Sequence, residues 1–230
     1  MTVKWRETMG NRAGRTALAS LGLSAVSLGV YFQIQANLGI APWNALNQGI
    51  ALRFPVTYGT AYILVSCLIL AADLCFRESI GVGMLLDTFL VGWVTDLLMG
   101  ARLLPAPSSF GVKIVFLLTG MVITCIGQLI YMRSALGCGP RDAMLVALGR
   151  SFPRLTVGTI NLIILVAVTV LSFMMGAPIG AGTLVTAAFT GPCMDLVFRA
   201  AHFDPCSVRH ENLLQTCEAV ASVFGGSKEA

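Results

Sequence analysis

Apolar residues run along the chain in six long blocks: Thr16–Ala36, Tyr58–Phe76, Ile80–Met99, Ile114–Tyr131, Val157–Met175 and Ile179–Phe198. Each carries few or no charges. Each is also long enough to cross a hydrocarbon core, which takes ~17–25 helical residues. Backbone groups find no water in lipid, so such blocks must satisfy their own hydrogen bonds, as a helix does and an open strand does not. The pattern predicts an all-α polytopic membrane protein with six transmembrane helices. Two interruptions break it in the same way: ANLGIAPWNAL (Ala36–Leu46) after the first block and SALGCGPRDAM (Ser134–Met144) after the fourth. Pro42 and Pro140 suit the first turn of a helix, where a missing N–H costs nothing. Gly39 and Gly137 let the chain turn sharply before it. A short helix is therefore predicted in each place, about Pro42–Phe54 and Pro140–Phe152, closed by Phe-Pro and followed by a span that starts at Thr57 or Thr156.

The recurrence extends well beyond the two interruptions. Pairing Gly39 with Gly137 also pairs Pro42 with Pro140, Asn44 with Asp142 and Pro55 with Pro153. One residue further is needed in the second half, after which Thr57-Tyr58-Gly59-Thr60 falls on Thr156-Val157-Gly158-Thr159. Ile80-Gly81-Val82-Gly83 then falls on Ile179-Gly180-Ala181-Gly182, Gly92 on Gly191 and Asp96 on Asp195. Ordered self-similarity of this kind marks a duplication. Each unit holds three spans, so the second enters from the opposite side and the expected architecture is a pair of inverted three-span repeats, each with a short interrupted or re-entrant helix. Secondary transporters recur in that form, with sites between the halves at interrupted helices. The expected organisation is a tail over 1–15, repeat 1 over 16–100, an outer loop over 101–113, repeat 2 over 114–200 and a tail over 201–230.

Composition and charge sharpen the picture. The chain is 56% hydrophobic and 11% charged, with mean hydropathy +0.81, against about one-quarter charged in a soluble domain. With both ends cytoplasmic, Lys4, Arg6, Arg12, Arg15, Arg77, Arg133, Arg141, Arg150, Arg154, Arg199, Arg209 and Lys228 face inside, and only Arg53, Arg102 and Lys113 face outside. Basic residues favour the cytoplasmic side. The net charge of +4 thus belongs to that face and implies no nucleic-acid partner. The first apolar block exceeds the ~7–15 residues of a signal-peptide core and runs on without a cleavage site, so it reads as an uncleaved span. Seven scattered cysteines suit small buried hydrophobes better than a disulfide framework.

Candidate chemistry is sparse. In the first short helix Asn44, Asn47 and Gln48 form a polar stripe opposite Trp43, Leu46 and Ile50, which implies either a dipping helix beside an aqueous vestibule or a helix lying flat at the headgroups. Two helix N-termini pointing inward would favour an anionic or carbonyl-bearing solute. In the second short helix Arg141 and Asp142 stand for Trp43 and Asn44; Asp142 suits a capping role and Arg141 a lipid-phosphate anchor, or both suit a solute. Asp87, inside the third span with Thr186 as its counterpart, is the candidate for ion coupling, since an intramembrane carboxylate costs a few kcal/mol unless paired, hydrated or protonated. Asp96 and Asp195 read as interface markers or partners of Arg102 and Arg199, and Asp73 as a surface-level ion pair with Arg77. Ser20-x3-Ser24 and Ala25-x3-Gly29 suit close helix packing. In the tail Ser207 can cap an amphipathic helix; His202, Cys206 and His210 lack the alignment for zinc. No metal or cofactor is expected. No hydrolase, zincin or Walker motif is present, so an enzyme is not expected.

The segments LGIAPWNAL and LGCGPRDAM, the two T-x-G-T starts and the paired I-G-x-G … D segments together resemble the YczE/YyaS group of bacterial integral membrane proteins, distantly similar to the membrane part of YitT-type proteins. The resemblance covers about Leu18 to Arg199. It implies a multi-pass protein of the bacterial cytoplasmic membrane. It implies little chemistry, because such families are usually described only as transporter candidates. The expectation is a secondary transporter or exporter of a small organic solute, an anionic one included, coupled to protons through Asp87. The alternatives are a non-transporting scaffold or regulatory membrane partner, and the substrate-binding membrane subunit of a multi-component importer. A lipid bilayer is the expected surrounding, with a homo-oligomer or a membrane partner protein compatible.

Overall fold

The structure is a computed structural model that describes residues 12–76, 78, 80–105, 107–137 and 139–203. The regular structure of these residues is helical throughout: α1 Arg12–Ala36, α2 Pro42–Arg53, α3 Tyr58–Cys75, α4 Val82–Ala101, α5 Phe110–Arg133, α6 Pro140–Ser151, α7 Val157–Met174 and α8 Ala181–Ala200. Six of them, all but α2 and α6, are long and apolar enough to cross a membrane. Their bounds lie within a few residues of the apolar blocks. The tail motifs after Phe203, and Arg77, lie outside the described residues.

Local chemistry sets the helix ends. Pro42 and Pro140 open α2 and α6. Thr57 and Thr156 cap α3 and α7, each side-chain oxygen accepting the N–H of Thr60 (3.1 Å) or Thr159 (3.2 Å), which satisfies one of the free donors at a helix start. Before each short helix the backbone turns left-handed twice, at Asn37 and Gly39 (φ 47° and 99°) and at Ala135 and Gly137 (φ 55° and 135°). Only glycine takes the φ of Gly39 and Gly137 without strain. These turns carry Leu38 and Leu136 against the start of a distant span: Gly182 N–H donates to Leu38 O (2.8 Å) and Gly83 N–H to Leu136 O (2.9 Å).

The helix α1 runs antiparallel along α5. Arg15 at its start donates to Ser134 O and Ala135 O (2.8 and 2.7 Å), while Phe32 near its end stacks on Phe116 at 5.3 Å. Two glycine pairs let the backbones touch. A Cβ on Gly22 would sit 2.8 Å from Gly127 O, and one on Gly29 would sit 2.6 Å from Gly120 O. Close approach of this kind is what small residues give membrane helices, whose association rests on packing rather than on exclusion of water. From this pair the rest spreads in matched contacts. α4 packs on α1 as α8 does on α5; α2 packs on α7 as α6 does on α3. Ser27 Oγ donates to Val91 O (3.3 Å) and Cys125 Sγ to Thr190 O (3.9 Å). The buried core between α1, α3, α4 and α5 holds Leu23, Val30, Tyr58, Tyr62, Val91 and Tyr131.

One expectation fails here. Asp73 is not at the surface; its side chain is fully buried in α3, and neither carboxylate oxygen has a hydrogen-bond partner among the described residues. Among the described residues the ion pair at that end of the bundle joins Arg150 to Glu78 (2.7 Å), and the expected partner Arg77 lies outside them.

Candidate functional site

The N-terminal turns of α2 and α6 come together in the interior. Arg141, second residue of α6, places its guanidinium 5.2 Å from the ring centre of Trp43, second residue of α2, and 5.0 Å from that of Tyr62 on α3. A guanidinium between two aromatic faces gains from both ring quadrupoles, about 0.5–2 kcal/mol each depending on desolvation. Arg141 is therefore not a surface anchor for lipid phosphates. Its Nη2 is buried without a hydrogen-bond partner among the described residues.

Two carboxylates face this cation. Asp87 stands at the start of a π-helical turn, Asp87–Val91, within α4. Such turns insert an extra residue per turn and are frequent at functional sites. Tyr62 hydroxyl donates to the Asp87 carboxylate, 3.3 and 3.2 Å from its two oxygens. Gly139, just before α6, keeps both acids close: a Cβ added there would lie 3.6 Å from Asp142 Oδ2 and 3.6 Å from Asp87 Oδ2. Asp142 is the third residue of α6, and the guanidinium of Arg141 attracts both acids. The cluster is thus Arg141 with Asp87 and Asp142, ringed by Trp43 and Tyr62.

The polar stripe of α2 turns toward protein. Asn44 and Asn47 are buried, and Asn47 is completely so. It lies beside the Tyr58 hydroxyl, yet among the described residues neither of its amide atoms completes a hydrogen bond, and Gln48 Oε1 is also left without one. The apolar side of α2, Trp43, Leu46 and Ile50, packs on Val65, Ile69, Ile164 and Val168. Asp87, Arg141 and Asp142 come together as one group; Asn44, Asn47 and Gln48 belong to the adjoining helix; Asp96 and Asp195 sit elsewhere. Asp96 does not pair with Arg102. It accepts from Thr57 Oγ1 and from Gly59 N–H (2.7 Å). Thr186, the counterpart of Asp87, is buried and bonds Gly182 O and Thr183 O on its own helix. Sequence reasoning missed Tyr62 and the stacking role of Trp43. The aromatic residues at the start of α3 and α2 were the available signal, but nothing in spacing along the chain brings them to Arg141.

Residues 13–199 match the Family of unknown function (DUF6198). The chain belongs to this family. It is 32% identical over 176 residues to the uncharacterized membrane protein YczE of Bacillus subtilis, covering 74% of this chain and 79% of that one. It is 28% identical over 169 residues to an uncharacterized protein of Haemophilus influenzae (74% and 76% covered). It is 27% identical over 174 residues to the uncharacterized protein YyaS of Bacillus subtilis (74% and 86%). No solved structure matches it. With six helices apolar enough to span and a membrane protein among its relatives, the chain is a multi-pass membrane protein of the YczE/YyaS type.

Proposed function

We propose that the chain is a secondary transporter or exporter of a small organic solute, with the cluster around Arg141 as its binding site and Asp87 as its proton-coupling group. The observation that carries this is the meeting of two interrupted-helix starts, one from each half of the chain, through Arg141 and Trp43. Charged groups inside a membrane protein are costly and mark solute or ion pathways. Here a buried donor of Arg141 stands without a hydrogen-bond partner among the described residues. Arg141 would hold a carboxylate or carbonyl of the solute. Asp87, held by Tyr62 and facing Arg141, would take or release a proton as the solute comes and goes.

The supporting architecture is an inverted repeat. Contacts that recur between counterpart residues favour it: Gly182 to Leu38 with Gly83 to Leu136, Ser27 to Val91 with Cys125 to Thr190, and Gly22 to Gly127 with Gly29 to Gly120. The basic residues favour a bacterial cytoplasmic membrane with both termini inside. Under this reading no bond is made or broken in the solute.

The experiment is flux of a solute panel into and out of proteoliposomes, with and without an imposed pH gradient. Gradient-dependent movement of one compound, abolished by Asp87→Asn in a chain that still elutes as a single species, is the expected result. No flux of any compound from folded protein would overturn the reading and turn attention to a scaffold or to a subunit that co-purifies with an ATPase.

A further inference from the structure

We propose that Thr57–Gly59–Asp96 and Thr156–Gly158–Asp195 are two latches that close in turn, and that the structure holds the first shut and the second open. The inference rests on the inverted-repeat reading above.

The shut latch is at the start of α3. Asp96 on α4 receives Thr57 Oγ1 on one oxygen and Gly59 N–H on the other, so one carboxylate ties the N-terminus of α3 to α4. Charge-assisted bonds of this kind are about twice as strong as neutral ones. Two glycines allow the closure. A Cβ on Gly59 would lie 2.1 Å from Gly92 O, and one on Gly92 would lie 2.7 Å from Gly59 O.

The second latch has the same parts in the same order, and they are apart. Thr156 caps α7 and shares a hydrogen with Thr159 Oγ1 at 2.8 Å, as Thr57 does with Thr60. Asp195, however, is exposed and bonds nothing among the described residues; it lines a shallow recess with Pro192, Leu196 and Arg199. A Cβ on Gly158 would meet only its own Thr156, and one on Gly191 would meet nothing within 4 Å. The seam between α3 and α4 is packed, whereas that between α7 and α8 is parted. Glycine inside a helix costs about 1 kcal/mol against alanine. At Gly158 this conformation gives no close packing in return, and at Gly191 it gives only room for the Pro192 that follows. A second conformation does: with α8 moved onto α7, Gly158 and Gly191 meet as Gly59 and Gly92 do now, and Asp195 receives Thr156 Oγ1 and Gly158 N–H.

Opening of the first seam accompanies this closure. Asp87 and Tyr62 lie on the two helices of that seam, so the change exposes the central cluster first to one face and then to the other. By the charge distribution the shut latch is the outer one and the open latch the cytoplasmic one.

Single cysteines at the counterpart positions Ile63 and Leu162 read the two states without any solute and leave all four seam glycines in place. In a chain whose seven cysteines are serine, Ile63→Cys lies in the shut seam, where Ile63 Cγ1 packs 2.9 Å from the position of a Gly92 Cβ, and Leu162→Cys lies beside the open one. The rate of labelling by a small thiol reagent in native membranes is the readout, slow at Ile63→Cys and faster at Leu162→Cys. Asp96→Asn is expected to speed the first and slow the second by about tenfold each, ~1.4 kcal/mol of bias. Asp195→Asn, at an exposed position unbonded among the described residues, tests the same balance without risk to folding and should do the opposite. The proposal is overturned if the Leu162→Cys rate is the same in all three backgrounds. Absent flux with the rates responding as stated would remove transport and leave the latches; flux with an unresponsive Leu162→Cys would do the reverse.

Discussion

Replacing Gly29 by alanine tests whether the contact of α1 with α5 is what holds the bundle together. The added methyl would lie 2.3 Å from Thr124 Oγ1, 2.6 Å from Gly120 O and 2.7 Å from Thr124 N. The threonine hydroxyl can rotate away, but the two backbone atoms cannot. They stand roughly 0.8 Å inside ordinary contact, and a radial gap of that order forfeits a quarter to a half of each pair's dispersion attraction. Because α1 and α5 touch again at Gly22 and Gly127, the parting is felt along the seam. Overpacking of this kind costs about 1–3 kcal/mol. The reference is Gly100→Ala, where nothing lies within 4 Å. Both changes replace a helical glycine, so most of the propensity gain cancels in the comparison. In detergent, with thermal loss of monodisperse protein as the assay, Gly29→Ala should melt several degrees below Gly100→Ala, at about 2–4 °C per kcal/mol for a chain of this size. A second alanine at Gly22 should cost less than the first, since the seam is already open and neighbouring changes are not additive. If Gly29→Ala and Gly100→Ala melt together, the close packing of α1 on α5 contributes no stability and the reasoning fails.

Arg141→Lys keeps the charge but loses the flat guanidinium stacked on Trp43 and Tyr62; it should lower stability by about 1–2 kcal/mol, whereas the same change in a Trp43→Ala/Tyr62→Leu background should cost nothing measurable. Asp73→Ser should raise the melting midpoint, because Ser172, its counterpart, satisfies its hydroxyl by donating to Val168 O (2.6 Å), while the buried Asp73 oxygens have no donor among the described residues and an unsatisfied buried group costs about 1–3 kcal/mol; a lower midpoint would mean the carboxylate has a partner. Glu78→Gln breaks the pair with Arg150, whose side chain is 72% exposed, so the loss should stay under about 1 kcal/mol and vanish in high salt.

The spans were legible because their signal is local. A run of apolar residues fixes a helix in lipid, and Pro42, Pro140, Thr57 and Thr156 fix where helices begin, through donors that each end must satisfy. The duplication was legible for the same reason: glycine, proline and capping residues are set by backbone geometry. What escaped was contact between distant segments. Of the motifs that suit close packing, Ala25-x3-Gly29 contains one of the two close backbone approaches to α5 and Ser20-x3-Ser24 contains neither; the approaches are at Gly22 and Gly29, matched by Gly120 and Gly127. Their equal spacing on α1 and α5 was visible in the sequence and becomes meaningful only once those two helices are known to be neighbours. Asp73 was misplaced because a carboxylate four residues before an arginine suits a surface pair, and nothing local says which side of α3 the bundle covers.

The halves differ at positions where the backbone imposes nothing. Pro42 and Pro140, Gly39 and Gly137, and Thr57 and Thr156 are kept alike because each makes a turn or a cap that both halves need. One step along, the first half has Trp43 and Asn44, the second Arg141 and Asp142; Asp87 has Thr186 as its counterpart in the second half. The substitutions are complementary across the interface rather than independent, since Arg141 lies on Trp43 and beside Asp87. A second arginine at position 43 would bring two guanidiniums together in a buried site, and a second acid in place of Thr186 would add a charge with no cation among its described bonds. Two copies of one scaffold thus yield a single asymmetric cluster, and the charges gather where the divergence between the copies is greatest.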